Sequence, residues 1–317
     1  MNHGSTPWPS RLLWATDFSP GAALARDYAI VLLRGSGGRL HLLHVSQPYP
    51  TLVLDAVADA DLLAPVRREV SGALDDMAAQ LSKGGVQASA TQEVGIPSEE
   101  IIRVARAESA DLIVLGSQGR TALEHVLLGS TAERVVKGAP CPVLTVRAEG
   151  AGQPTSPAIR RLIVPVDFSN GSADALEAAI VVARPFKASI TLLHVLEWSW
   201  LRLHYTIAQL ADEDRIRREL QARLEPYAEA VRSEGLTADI VTLGGGGPAD
   251  FIVDTAASRK ADLIVMATHG RRGIQRALIG SVAEGVLRRA SCPVMTIKEG
   301  AIAPERRRTF SITEANS

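Results

Sequence analysis

The 317-residue sequence predicts an α/β protein of two tandem doubly wound domains, each with a Rossmann-like or flavodoxin-like sheet of five parallel strands. Two observations support this fold class. The chain repeats itself, since Leu-Leu-His-Val at residues 42–45 recurs at residues 192–195, 150 positions later. Within each repeat, short apolar runs alternate with amphipathic stretches, which is typical of βαβ units. Because the period far exceeds that of solenoid repeats, it indicates duplication of a whole domain.

Further matches define the limits of the two copies. Residues 110–114 recur at 261–265, and Cys141-Pro-Val recurs from Cys292. The offset between the copies is therefore 151 here, one residue more than at residues 42–45. Because the cysteines occupy the same position in each copy, we expect two equivalent structural positions rather than a disulfide. A stretch rich in Gly, Pro, Ser and Thr separates the copies and predicts a linker. The predicted domains are residues 1–148 and 159–298, and residues 299–317 are predicted to form a disordered tail.

The composition excludes several classes of protein. Hydrophobic residues make up 46% of the chain and the formal net charge is -1, which fits a soluble globular protein without a basic field for nucleic acid or membranes. Aromatic residues make up only 4%, which disfavours a stacking platform for single strands. No signal peptide or membrane-spanning run is visible, so a cytoplasmic location is expected.

The elements of the first unit follow from the alternation, and the second unit repeats them. The strand segments are almost continuously apolar, which suits strands buried on both faces of a sheet. The first helix has the clearest start, because Ser19 can cap it and Pro20 suits its first position. Ser169 is the matching cap candidate. Strands are predicted at residues 11–16, 39–45, 87–93, 112–116 and 142–146, and helices at 20–34, 62–82, 98–108 and 130–137.

The ends of two strands mark the expected binding edge of each unit. Doubly wound sheets bind ligands at the carboxyl ends of the strands, where the strand order reverses. In a five-stranded unit the reversal is expected between the first and fourth strands. These strands end at Asp17 and Gly116 in the first unit, and at Asp167 and Ala267 in the second.

A glycine motif follows the fourth strand of the first unit. It reads Gly116-Ser117-Gln118-Gly119, nine residues, then Gly129-Ser130-Thr131. The glycines permit close backbone approach, and the second segment opens a helix whose free N–H groups attract anions. The hydroxyls of Ser130 and Thr131 and the guanidinium of Arg120 add donors. Since a hydrogen bond to a charged group contributes about 1.5–3 kcal/mol, three or four would hold a polyphosphate with micromolar affinity.

The second unit keeps the spacing of this motif with two changes. It reads Ala267-Thr268-His269-Gly270, nine residues, then Gly280-Ser281-Val282. Arg271 directly follows Gly270. Ala267 adds a Cβ where the backbone would approach a ligand, and Val282 lacks the hydroxyl of Thr131. The first site is therefore expected to bind better than the second.

This glycine motif, between Asp-Leu-Ile-Val and Cys-Pro-Val, resembles the universal stress protein family over about residues 10–147 and 160–298. The resemblance implies ATP, with Mg²⁺, as ligand: ribose and adenine at the positions of Asp17 and Val45, and phosphates on the glycine loop. The implied first site comprises Ala15, Thr16, Asp17, Val45, Gly116, Gln118, Gly119, Arg120, Gly129, Ser130 and Thr131. The implied second site comprises Pro165, Val166, Asp167, Val195, Ala267, His269, Gly270, Arg271, Gly280, Ser281 and Val282.

The resemblance also implies a regulatory role in the stress response and pairing of last strands, either between chains as a homodimer or within this chain as a pseudo-dimer. No carboxylate or histidine recurs in both glycine loops, so little or no catalysis is expected. Two alternative functions are a nucleotide-free scaffold that binds a protein partner and a slow ATP hydrolase. Cyclic AMP is an alternative ligand, because its adenine contacts would look alike.

Several residues also have simpler structural interpretations. Asp17 and Asp167 could only cap the helices that follow them, although Ser19 competes for that role. Residues 244–249 fit a dinucleotide fingerprint but follow the third strand, so a flexible turn is the favoured interpretation. His44 and His194 are expected to be hydrogen-bonded core histidines, and the few cysteines and histidines predict no metal site.

Overall fold

The computed structural model describes residues 8–47, 60–118, 128–148, 157–196, 213–244, 246–270 and 279–301. The chain divides into two compact units that separate around residues 151–158. Below, unit 1 is the part of the chain before this point and unit 2 the part after it.

Unit 1 has five parallel strands and four α-helices among its described residues. Their order along the chain is β1 (Arg11–Thr16), α1 (Pro20–Ser36), β2 (Arg39–Ser46), α2 (Ala60–Lys83), β3 (Gln87–Val94), α3 (Pro97–Ala107), β4 (Leu112–Gly116), α4 (Ser130–Gly138) and β5 (Val143–Val146). The strand order is β3-β2-β1-β4-β5. The order therefore reverses between β1 and β4, where Ala15 lies opposite Leu115.

Unit 2 repeats this architecture. Its elements are β6 (Arg161–Pro165), α5 (Asn170–Ala183), a 3₁₀ turn (Arg184–Phe186), β7 (Ser189–Leu196), α6 (Glu213–Arg232), β8 (Ala238–Gly244), α7 (Pro248–Ser258), β9 (Leu263–Ala267), α8 (Ser281–Arg289) and β10 (Val294–Ile297). The strands are parallel in the order β8-β7-β6-β9-β10. The predicted doubly wound fold is confirmed in both units, with strand and helix bounds in unit 1 within two residues of the prediction. An intrachain pairing of the last strands stays a prediction.

The core lies along the central strands of each sheet. The middle residues of β1, β4, β6 and β9 are buried, which explains why these segments are apolar at every position rather than at alternate ones. Trp14 in β1 is also buried, and its indole N–H donates to the carbonyl oxygen of Ala22 at 2.9 Å. This bond ties the first turn of α1 to the strand that ends at the binding edge.

The aspartate of the repeated Ala-Asp-Leu-Ile-Val segment has a structural role at the amino ends of the strands. The carboxylate of Asp111 accepts hydrogen bonds from the backbone N–H groups of Ser10 (3.0 Å) and Arg11 (3.0 Å) and from the Ser10 hydroxyl (2.9 Å). In unit 2, Asp262 accepts from the N–H groups of Arg160 (2.9 Å) and Arg161 (2.8 Å). Each aspartate therefore joins the start of the fourth strand to the start of the first.

The cysteines are free thiols in both units. Cys141 is buried, whereas Cys292, taken over all its atoms, is partly exposed. Desolvation by burial of the sulfur raises the pKa of the Cys292 thiol to about 12, so it is protonated at neutral pH. No helix in the described ranges is long and apolar enough to cross a membrane.

Serine caps the first helix of each unit. The Ser19 hydroxyl oxygen accepts from the Ala22 N–H at 3.2 Å, and the Ser169 hydroxyl oxygen accepts from the Ser172 N–H at 3.2 Å. Asp17 and Asp167 lie two residues earlier, and their Oδ1 atoms accept from the serine backbone N–H at 3.0 Å in both units. The aspartates therefore brace the turn before the helix, and the cap belongs to the serines.

Replacing Ser169 with alanine should lower the free energy of unfolding of unit 2 by about 1 kcal/mol, because it removes the cap acceptor. It also removes the donor to Asp167, whose Oδ1 accepts from the Ser169 hydroxyl at 2.6 Å. Urea unfolding followed by circular dichroism would measure the change. Ser169→Thr keeps the hydroxyl and is the matched control; equal stability of the alanine and threonine variants would contradict the assignment.

Candidate functional site

Unit 2 contains a cleft of about 480 Å³ at the carboxyl edge of its sheet. Its walls come from the ends of β6, β7 and β9, from the start of α8, and from side chains of α6 and α7. A volume of this size is within the usual range for small-molecule sites, about 300–1,000 Å³.

The cleft gathers the residues that the sequence predicts for the second site. The described ten of the eleven predicted residues all line it: Pro165, Val166, Asp167, Val195, Ala267, His269, Gly270, Gly280, Ser281 and Val282. The eleventh, Arg271, lies outside the described residues.

Backbone hydrogen bonds bring the two glycine segments of unit 2 together. The N–H of Thr268 donates to the carbonyl of Ile297 at 2.9 Å, and the N–H of Gly280 donates to the carbonyl of Thr268 at 2.8 Å. Helix α8 then begins at Ser281 with Gly280 as its N-cap, and no side chain caps it. Because the first N–H groups of a helix lack intrahelical partners, this end of the cleft offers donors to an anion.

Unit 1 has the same backbone arrangement. The N–H of Ser117 donates to the carbonyl of Val146 at 2.7 Å, and the N–H of Gly129 donates to the carbonyl of Ser117 at 2.8 Å. Helix α4 begins at Ser130, again with a glycine N-cap and no side-chain cap.

The other predicted residues of the first site lie at the ends of strands beside this loop. Ala15 and Thr16 end β1, which has β2 and Val45 on one side and β4 and Gly116 on the other. Asp17 and Gln118 follow directly after β1 and β4. Ser130 and Thr131 form the first turn of α4. Gly119 and Arg120 lie outside the described residues.

Gly270 lies against the carboxylate of Asp167. A Cβ on Gly270 would lie within 3 Å of the Oδ2 atom of Asp167, closer than real Cβ contacts allow, so only glycine fits there without displacing the carboxylate. A Cβ on Gly280 would lie 3.1 Å from the carbonyl oxygen of Thr268. The loop is thus shaped to place bare backbone beside Asp167, as close approach of a ligand requires.

His269 lines the cleft and carries a buried ring nitrogen. Its Nδ1 lies 3.0 Å from the hydroxyl of Thr268, whereas its Nε2 is buried and has no hydrogen-bond partner among the described residues. Buried polar atoms are normally paired, so this nitrogen fits a partner supplied by a ligand.

The structure shows where the Cβ of Ala267 lies. The Cβ of Ala267 lies 3.0 Å from where a Cβ on Gly171 would be, in the first turn of α5. At the matching position of unit 1, a Cβ on Gly116 would lie 3.0 Å from the backbone of Gly21 and Ala22. This Cβ therefore faces the helix start, and the lower rank of the second site stays a prediction.

A phenylalanine in a left-handed conformation follows the aspartate in each unit. Phe18 has φ 62° and Phe168 has φ 63°, a region that non-glycine residues rarely adopt. Their rings lie 4.9 Å from the ring of His44 and 4.7 Å from the ring of His194. Such backbone strain is often found at binding sites.

Each of these histidines is hydrogen-bonded to the backbone carbonyl two residues before the phenylalanine. His44 Nδ1 lies 2.8 Å from the carbonyl oxygen of Thr16, and His194 Nδ1 lies 2.6 Å from that of Val166. Since a carbonyl only accepts, Nδ1 carries the proton in both rings. The prediction of hydrogen-bonded core histidines holds for His194, which is buried, whereas His44 is hydrogen-bonded but only partly buried.

Sequence reasoning missed several residues of the second cleft, among them Phe168, Arg223, Pro248 and Ile252. Pro248 follows the four glycines 244–247 and starts α7. Gly246 has φ 64°, which suits the favoured interpretation of a turn. Only one sequence signal pointed to Phe168, namely its recurrence beside the repeated aspartate. Arg223 and Ile252 lie on helices, where nothing in the sequence separates a cleft residue from its neighbours.

A family model described as the universal stress protein family matches residues 10–147 and again residues 158–298. The chain belongs to the universal stress protein family. Together the two matches span most of the chain and show that both copies are family domains.

Individual relatives agree. A universal stress protein of Methanocaldococcus jannaschii is 33% identical over 138 residues, 43% of this chain and 81% of that protein. One from Mycobacterium tuberculosis strain H37Rv is 31% identical over 196 residues, 60% of this chain and 62% of that protein. The crystal structure of a universal stress protein from Archaeoglobus fulgidus covers 91% of this chain and 98% of its own, with a TM-score of 0.67 at 22% identity, which supports the fold.

Proposed function

We propose that this universal stress protein is an ATP-binding regulatory protein with little or no catalysis. The observation that carries the proposal is the second cleft, which gathers all the described residues predicted for that site in one cavity of about 480 Å³. The assignment of ATP rests on the family resemblance and on the chemistry of these residues.

The residues fit the parts of a nucleotide. The uncapped start of α8 and the bare backbone of Gly270 and Gly280 suit phosphate oxygens. Asp167, at the end of β6, suits ribose hydroxyls, and Val195 gives the neighbouring wall an apolar side chain for the base. Mg²⁺ would arrive with the phosphates, because it prefers phosphate oxygens and water to a cage of protein ligands.

A catalytic role has less support. Activating water for attack on a phosphate needs a group that orients or deprotonates it. In the described parts of the glycine segments, Gln118 of unit 1 stands where unit 2 has His269, so no base recurs. ATP would therefore control stability, assembly or the binding of a protein partner. A cytoplasmic location and a dimeric assembly, within the chain or between chains, complete this proposal.

Titration of the purified chain with MgATP by calorimetry should give two binding steps with micromolar dissociation constants, one for each unit. Gly119→Glu should remove one step, since it puts a bulky anion in the glycine loop of unit 1. A parallel assay of phosphate release should show no steady turnover above the buffer rate.

The outcomes separate the candidate functions. Steady turnover that is lost with Asp17→Ala or Ser130→Ala would favour the slow hydrolase. Absence of both heat and thermal stabilisation at millimolar ATP would discard nucleotide binding and leave the scaffold. A tighter titration with cyclic AMP than with ATP would replace the assigned ligand.

A further inference from the structure

An arginine and three aromatic side chains form a cluster at the second cleft. The guanidinium carbon of Arg223 lies 4.1 Å from the centroid of the Phe168 ring, over its face. The same ring lies 4.7 Å from the ring of His194 and 5.9 Å, edge to face, from that of Tyr227. Arg223 and Phe168 both line the cleft.

The cluster fixes where the guanidinium lies. Arg223 and Tyr227 are four residues apart on α6, so they lie on the same face of that helix. Phe168 is buried, and its left-handed backbone places its ring between this helix face and β7. A guanidinium group is planar, and contact with an aromatic ring restrains its position.

The position of α6 assigns Arg223 to one end of the cleft. Helix α6 packs against β7 and β8, whereas α8, which begins at the glycine loop, packs against β10 and α7. In the order β8-β7-β6-β9-β10, these helices lie toward opposite edges of the sheet. We therefore assign Arg223 to the side of the cleft formed by β7, where Val195 lies, rather than to the side where α8 begins.

Unit 1 has an alanine at the position that corresponds to Arg223. The turns after α2 and α6 are equivalent, because Val86 N–H donates to Leu81 as Leu236 N–H donates to Val231, an offset of 150 in each case. The same offset places Ala73 at the position of Arg223 and Met77 at that of Tyr227. The ring of Phe18 is correspondingly half-buried, whereas Phe168 is buried.

We infer that Arg223 is a base-stacking residue, which gives the second cleft a contact with the nucleotide base that the first cleft lacks; the inference rests on the proposed function. Bases stack on guanidinium planes as they do on aromatic rings. The Phe168 ring packs against the guanidinium, and both Arg223 and Val195 line the cleft that a base would enter.

Binding to the second cleft alone is measured in a chain whose first site carries Gly119→Glu. ATP, adenosine and inorganic triphosphate are titrated against this parent and against its Arg223→Ala and Arg223→Lys forms. Loss of the stacked plane should weaken ATP and adenosine by the same factor, about tenfold, and leave triphosphate unchanged. Lysine should not restore binding, because an ammonium has no plane to stack.

Matched variants exclude a general loss of charge or fold. Arg217 is exposed on the same helix, and Arg217→Ala should leave all three affinities unchanged. In the converse experiment, Ala73→Arg in a Gly270→Glu chain should strengthen adenosine binding at the first site. Thermal unfolding of each variant shows whether unit 2 stays folded.

Two results would overturn the inference while the proposed function stands. One is an unchanged adenosine affinity in Arg223→Ala, which would assign Arg223 only to packing on Phe168. The other is a loss of ATP and triphosphate binding with adenosine spared, which would make Arg223 a phosphate contact. A parent chain that binds neither ATP nor adenosine would overturn both the inference and the proposed function.

Discussion

Gly270→Glu should weaken ATP binding at the second cleft by at least about a hundredfold. The new Cβ would collide with the Oδ2 atom of Asp167, and the added carboxylate would stand beside an existing one where phosphates are expected. Two unfavourable effects, displacement of the Asp167 carboxylate and like-charge repulsion, act at one point, and each 1.4 kcal/mol costs a factor of ten. Calorimetric titration in the Gly119→Glu background measures the effect directly.

Two controls define the cause of this loss. Gly72→Glu makes the same chemical change on the exposed face of α2, where a Cβ would meet nothing within 4 Å, and should leave binding unchanged. Gly270→Ala adds the Cβ without the charge and should lie between the parent and the glutamate variant. Full ATP binding by a folded Gly270→Glu chain would remove Gly270 from the site.

Asp111→Ala should lower the free energy of unfolding of unit 1 by about 3 kcal/mol, from the loss of hydrogen bonds to a charged acceptor. The carboxylate accepts from the backbone of Ser10 and Arg11 and from the Ser10 hydroxyl, which joins β4 to the start of β1. Its removal leaves these donors without their partner. Urea unfolding followed by circular dichroism measures the change.

The matching change in unit 2 and a surface control make this result specific. Asp262→Ala should destabilise unit 2 for the same reason, because the carboxylate accepts from Arg160 and Arg161. Asp75, exposed on α2, gives the control Asp75→Ala, which should change stability by less than about 0.5 kcal/mol. Equal stability of the Asp111 and Asp75 variants would show that the hydrogen bonds between Asp111 and the start of β1 do not stabilise unit 1.

Much of the molecule was determined by the sequence alone. Short strand-length runs and amphipathic stretches between them predicted the described strands and helices of unit 1. The signal is strongest for the central strands β1 and β4, because burial on both faces of a sheet demands apolar residues at every position. The repeat of Asp17 at Asp167 and the spacing of the glycines predicted residues that line one cleft of the second unit. These features could be predicted because they depend on local patterns and on the topology that follows from them.

Other features depended on how distant segments pack. The Cβ of Ala267 faces the first turn of α5, a direction that follows from the packing of a helix on a strand about one hundred residues away in the chain. The cap belongs to Ser19 and Ser169, although Asp17 and Asp167 were equally good candidates by residue type. The contact of Arg223 with Phe168 joins α6 to the end of β6. Residue type and spacing fix which groups are present, but only the tertiary packing decides which of them meet, since side-chain direction and long-range distance are not local properties of the chain.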